Sequence, residues 1–206
     1  MMRCIICQSS RWVVIFAVAV LLSGCIGRSS PKVTHFSLLT AEQLNTEQTI
    51  ASLPEIKLGI GPVTIPDSLK RSQVATRQLG NQYEFDEFNR WAGVLEKDLT
   101  YILGDNLGQL LGVSHVGSFP WRQYFKPTYW VRVDFERLDG ALAGEAVLSA
   151  RWSVTDAEGK ELLAGGKNDG RQLLDAESFA ALIKAESQLV AELSRNIADA
   201  IVTLNK

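Results

Sequence analysis

Few residues of this 206-residue chain have the type and spacing that chemistry requires. The two histidines, His35 and His115, each lie in an apolar, strand-like context. Neither has a second metal-type ligand at close spacing, so a zinc or iron site is not expected. No Gly-x-Ser-x-Gly elbow presents a nucleophile. Gly165-Gly166-Lys167 is no phosphate loop, because position 161 is Glu and position 168 is Asn where a Walker motif needs Gly and Ser or Thr. Asp86-Glu87 is a pair of acids, read most simply as first-turn acids at a helix entrance. These observations predict no catalytic residue, no metal and no cofactor, hence a protein that is not an enzyme. The densest cluster of another kind is aromatic: six rings fall between Phe119 and Trp130. Aromatic residues favour protein interfaces. Trp121, Tyr124, Phe125 and Trp130 are therefore the candidate partner-binding residues. Alternation places Trp130 on the strand face opposite Val131 and Val133.

The elements that must position these residues are legible as patterns. Apolar residues alternate at 56, 58 and 60, then at 63 and 65; the slip of one at Gly61-Pro62 reads as a bulge. His35–Leu39 is a shorter strand. Val74–Arg77 and Gln82–Phe85 flank Gly80-Asn81 as a hairpin, with Arg77 facing an acid such as Glu84. Trp91–Leu111 has one apolar face at helical spacing and Gly112 as its cap. Trp91 is read as a packing residue of that face. Tyr129–Glu136 and Ala146–Thr155 alternate cleanly, as antiparallel strands with one buried face do. Leu162–Leu174 is a weaker strand, broken at Gly165-Gly166. A last helix begins at Asp175, with Leu182, Leu189, Leu193, Ile197, Ile201 and Leu204 as its buried stripe. The sum is an α+β, two-layer domain: a mainly antiparallel sheet with two amphipathic helices on one face.

The N-terminus decides where such a domain resides. Trp12–Leu22 is an apolar run of eleven residues. As a helix it reaches roughly 16 Å at ~1.5 Å per residue, too short for a hydrocarbon core of about 30 Å. Arg3 and Arg11 precede it and the small residues Ser23-Gly24 follow, the pattern of a secretory signal peptide. Leu22-Ser23-Gly24-Cys25 resembles the lipobox of bacterial lipoproteins, which implies that Cys25 is lipid-modified, palmitate included. Two or more acyl chains hold a protein stably on a membrane. Residue 26 is Ile rather than the aspartate that signals inner-membrane retention, so an outer-membrane location facing the periplasm is expected. The organisation is then 1–24 signal peptide, 25–34 lipidated tether and 35–206 a single domain. Cys4 and Cys7 leave with the signal and Cys25 carries lipid, so no thiol remains for a disulfide. The chain has 21 basic and 23 acidic residues; loss of Arg3 and Arg11 leaves 19 basic and a net charge of −4. That balance disfavours nucleic acid as a partner.

A set of short stretches then carries a resemblance. They are Gly61-Pro62-Val63 with Ile65-Pro66, Leu69-Lys70-Arg71, Thr76-Arg77, Glu87-Phe88-Asn89-Arg90-Trp91 with Leu95, Asn106-Leu107 with Leu110-Leu111, and Pro120-Trp121. In that order the chain resembles the PqiC/YmbA family of auxiliary lipoproteins of ABC-type transport systems. The resemblance implies a subunit of an MCE-type intermembrane lipid transport system. Its implied partners are an MCE-domain tunnel protein across the periplasm and an inner-membrane component, PqiB/PqiA-like. It also implies docking of the tunnel's outer end, a homo-oligomeric ring and support of envelope integrity. The alternative is a structural or assembly lipoprotein of the envelope with no transport role.

Overall fold

The computed structural model describes residues 31–46, 48–78, 82–120 and 124–206. The expected signal peptide and the expected lipid site, Cys25, lie outside them, as does Trp121. Among the described residues eight strands and two α-helices follow in the order β1 (Thr34–Phe36), β2 (Lys57–Thr64), β3 (Gln73–Arg77), β4 (Tyr83–Trp91), α1 (Leu95–Leu111), β5 (His115–Ser118), β6 (Tyr129–Gly140), β7 (Glu145–Thr155), β8 (Leu162–Leu173) and α2 (Phe179–Leu204). A single 3₁₀ turn, Asp67–Leu69, lies between β2 and β3.

β6 is the axis of the sheet. On one side it pairs antiparallel with β7, from Trp130↔Thr155 to Gly140↔Ala146, and β7 pairs antiparallel with β8. Its other side is divided. β2 runs parallel to its first half, from Leu58↔Tyr129 to Thr64↔Asp134, and β3 meets its far end at Thr76↔Gly140. Beyond β2 lies β5, and beyond β3 lie β4 and then β1, so the sheet forks. Most paired residues belong to antiparallel ladders, but β1–β4, β2–β5, β2–β6 and β3–β6 are parallel. The bulge expected at Gly61-Pro62 is present as a register shift between Ile60 and Val63.

Both helices lie on one face of the sheet. α1 packs against β2 and β5, α2 against β7 and β8, and the helices touch each other. The alternating apolar residues Val131, Val133 and Phe135 of β6 and Leu148, Ala150 and Val154 of β7 are buried beneath them. Leu99, Ile102, Leu103 and Leu107 of α1 and Leu182, Leu189, Leu193, Ile197 and Ile201 of α2 complete the core. Asn106, fully buried, joins three segments: Oδ1 accepts from the Ala41 amide at 2.8 Å, and Nδ2 donates to Ser194 Oγ on α2 at 3.3 Å. Gly104 and Gly108 bring α1 down on β5; a Cβ at Gly104 would stand 3.3 Å from Val116. The α1 cap is Gly112 in the left-handed region, φ 61°, where glycine has no steric cost.

Four local expectations are corrected. Trp91 ends β4 rather than opening a helix, and α1 begins at Leu95; the apolar spacing around Trp91 satisfies a strand end as well as a helix start. Its burial stands, at 7 % exposure. Asp86 and Glu87 accordingly lie within β4, where Asp86 Oδ1 accepts from the amides of Phe88 and Asn89. The last helix is capped by Ser178, whose Oγ accepts from the Ala181 amide at 3.2 Å. Asp175 instead pairs with Lys184 at 2.7 Å. Finally, β8 runs unbroken through Gly165-Gly166, which pair with Ser153 and Trp152. A Cβ on Gly166 would stand 3.0 Å from the Trp152 indole, so the missing side chain makes room for that ring.

Candidate functional site

Where β3 meets β6, the chain assembles a buried charged cluster. Arg77, at the end of β3, reaches Asp139 on β6 with Nε at 3.2 Å and Nη2 at 3.0 Å. Its guanidinium lies 4.4 Å from the centroid of the Tyr83 ring, and Nη2 donates to Tyr83 Oη at 2.6 Å. Tyr83 Oη in turn donates to Asp139 Oδ2 at 2.8 Å, and Arg137 Nε donates to Oδ1 at 2.7 Å. Arg77 does not pair with Glu84, the expected partner; Glu84 accepts from Gln78 instead. Thr76 faces Glu84 in the ladder, so the two neighbours in sequence point to opposite faces and the guanidinium swings to the carboxylate inside.

The electrostatics of the cluster follow from burial. Asp139 is wholly buried. Burial pushes its pKa upward, but the hydrogen bonds from Arg77, Arg137 and Tyr83 outweigh it and hold the group below the usual carboxylate range. Glu186 approaches from α2 and is 1 % exposed. Its Oε2 has no hydrogen-bond partner. Burial first, and the negative charge of Asp139 second, raise its pKa well above the ordinary value. Two carboxyl groups so placed cannot both ionise cheaply. The cluster therefore sets one carboxylate against two arginines, and burial disfavours the charged form of the acid beside it. It clamps β3, β4 and β6 together beneath α2. Neither carboxyl group is open to a substrate. Sequence reasoning found only Arg77. Asp139 was hidden in a stretch that reads as a turn, Leu138-Asp139-Gly140. The signal for Glu186 was present, because it lies four residues after Leu182 and three before Leu189 on the buried stripe.

The aromatic loop between β5 and β6 leaves the opposite arm of the fork, beside the sheet edge formed by β5. The predicted partner-binding residues separate there. Tyr124 is 75 % exposed and its neighbour in the loop Phe119 is 51 % exposed. Phe125 is half-buried, its ring against Gly117 of β5, where an added Cβ would stand 2.6 Å away. Trp130 is also half-buried. The turn between β7 and β8 covers its ring: Gly159, φ +70°, lies so close that an added Cβ would be 3.3 Å from the indole. The Arg132 guanidinium stacks over the same ring at 5.5 Å. Thus Tyr124 and Phe119 offer a surface, while Phe125 and Trp130 fix the ends of the loop that presents them. Beside the loop, α1 and β5 enclose a groove of about 310 Å³ lined by Tyr101, Asp105, Gln109, Val116 and Ser118 among others.

Among the described residues no group of three or more His, Cys, Asp or Glu side chains is gathered to hold a metal, and no helix is long and apolar enough to cross a membrane. The family model for the ABC-type transport auxiliary lipoprotein component matches residues 36–198. No curated protein matches the chain. Among solved structures, an uncharacterized protein superposes with a TM-score of 0.67 at 23% identity, covering 83% of this chain and 99% of its own. A DUF330 protein from Xanthomonas campestris superposes with a TM-score of 0.61 at 10% identity, covering 80% and 92%. Both likenesses are of fold.

Proposed function

The chain belongs to the family of ABC-type transport auxiliary lipoprotein components, and from that premise we propose that it is the outer-membrane lipoprotein subunit of an MCE-type intermembrane lipid transport system. In this reading it binds no substrate for chemistry. It is held by lipid on Cys25 and receives the outer end of an MCE-domain tunnel whose inner end meets a membrane-embedded partner of the PqiA type. The observation that carries the proposal is the family match across nearly the whole domain. The tether from Cys25 to Thr34 reaches about 30 Å at full extension, which keeps the domain against the membrane that anchors it. The docking surface is the loop between β5 and β6. Large, exposed aromatic rings contribute much contact area at small entropic cost, and Tyr124 and Phe119 are two such rings on one loop. Trp121 belongs to the same loop, and Phe125 and Trp130 support it.

The test is photo-crosslinking in the cell from position 124, with mass spectrometry of the captured species. Tyr124 is preferable to Trp130 because its side chain faces solvent. Capture of an MCE-domain protein is the expected result, and Tyr124→Ala should weaken co-purification of that protein while leaving stability within about 0.5 kcal/mol. Capture of an outer-membrane barrel or a peptidoglycan factor instead, with no MCE protein, would refute the transport reading in favour of an assembly role.

A further inference from the structure

The sheet ends in three edges of unequal length. β1 has three residues and β5 has four, whereas β8 has twelve. Among the described residues β8 pairs with β7 alone. A long open edge presents a row of backbone donors and acceptors that another strand can pair with. β8 also exposes a large apolar side chain at each end, Leu162 at 66 % and Leu173 at 74 %.

The polar face of β6, β7 and β8 carries a ladder of charges that runs toward this edge. Glu136 on β6 accepts from Arg151 Nε on β7 at 2.6 Å, and Lys167 Nζ on β8 stands 3.4 Å from Glu136 and 3.2 Å from Asp169 Oδ1. Lys167 and Asp169 are the outermost members and remain 40% and 64% exposed. They flank Asn168, which lies next to the centre of the strand. An antiparallel copy of β8 with its twofold axis at Asn168 pairs residues 163–173 of one copy with the same residues of the other. In that register each Lys167 faces Asp169 of the second copy, and Leu162 of one copy comes to the same end of the paired strands as Leu173 of the other. A shift of the axis to Lys167 or to Asp169 sets identical charges face to face, which is destabilising.

We propose that β8 is a self-recognition edge: two copies of this chain join antiparallel about Asn168, extending the sheet across a twofold axis with reciprocal Lys167–Asp169 pairs. Such an interface is isologous and closes on itself. It is independent of the aromatic loop, which lies beyond the other side of β6 and remains available to a partner.

The experiment uses the full chain, purified in detergent, with Asn168→Cys as a reporter and the chain without that change as the background. Mild oxidation should convert the reporter to a disulfide-linked dimer. Adding Lys167→Asp to one reporter chain, or Asp169→Lys to another, places like charges opposite each other twice per interface. Each change alone should lower the dimer yield about tenfold. Mixing the two reversed chains sets an acid of one against a base of the other at both positions, so a mixed dimer should form at near the original yield. That recovery also shows that neither chain is merely unfolded. The proposal is overturned by a reporter that does not cross-link above background. It is overturned equally by dimer yields that ignore the reversals, or by a mixture that does not recover.

Discussion

Glu186→Gln should make the protein more stable, and by an amount that grows with pH. The side chain is 1 % exposed, its Oε2 has no hydrogen-bond partner, and Asp139 adds a nearby negative charge. The folded state therefore holds a proton on Glu186 that the unfolded chain, with an ordinary carboxyl group near 4.5, gives up. A raised carboxyl pKa contributes its full share of stability below the unfolded value. That share is lost as pH rises from there toward the folded value, because the unfolded state then binds fewer protons than the native one. For one proton the loss approaches about 1.4 kcal/mol per pH unit. Glutamine keeps the shape of the protonated acid and does not titrate, so it removes this slope. Urea denaturation followed by circular dichroism, from about pH 5 to about pH 8, gives the difference between the two chains directly. Each 1 kcal/mol of that difference corresponds to roughly 2–4 °C in Tm for a domain of this size. Titrating groups that do not interact with Glu186 cancel in the difference. A gap between the two chains that is constant over the range, or that narrows as pH rises, would refute the claim that Glu186 is folded in its protonated form.

Two further outcomes follow from the packing. Trp91→Ala empties a buried ring site at the end of β4 and should cost about 3–5 kcal/mol, visible as a large fall in Tm. Arg77→Ala removes two of the hydrogen bonds that hold the buried Asp139 carboxylate. It should cost about 3 kcal/mol at neutral pH, and that cost should shrink in acid as Asp139 protonates, whereas Arg77→Lys should recover only part because lysine cannot present a two-pronged donor. A cost for Arg77→Ala that does not change with pH would show that the arginine acts through its stem and not through its charge.

The local order of this protein was legible because its patterns are local. Alternation over 129–136 and 146–155 is a property of a few successive residues, and it marks β6 and β7 without reference to anything distant. The bulge at Gly61-Pro62, the Gly112 cap and the stripe on α2 are of the same kind. Even here, element ends were misplaced where one pattern serves two structures. Trp91 fits the face of a helix that begins later, and Asp175 resembles a cap three residues before Ser178 takes that role.

The candidate sites depended on contacts that no window of sequence contains. Arg77 and Asp139 are 62 residues apart and meet only because β3 joins the far end of β6. Glu186 joins them from the last helix. Parallel pairings have no short signature, since their strands are connected through other elements, so the fork of the sheet and the edge position of β5 could not be read in advance. The burial of Trp130 has the same origin. Its own strand predicts only which face it takes, and the ring is covered by a turn that arrives with Gly159. Sequence alone thus determined most of the elements and the apolar face of each, because near neighbours set backbone preference and periodicity. Tertiary structure alone decided which charges are buried together, which aromatic rings face solvent and which sheet edge is left open, because each of these is settled by segments that are distant in sequence and adjacent only after folding.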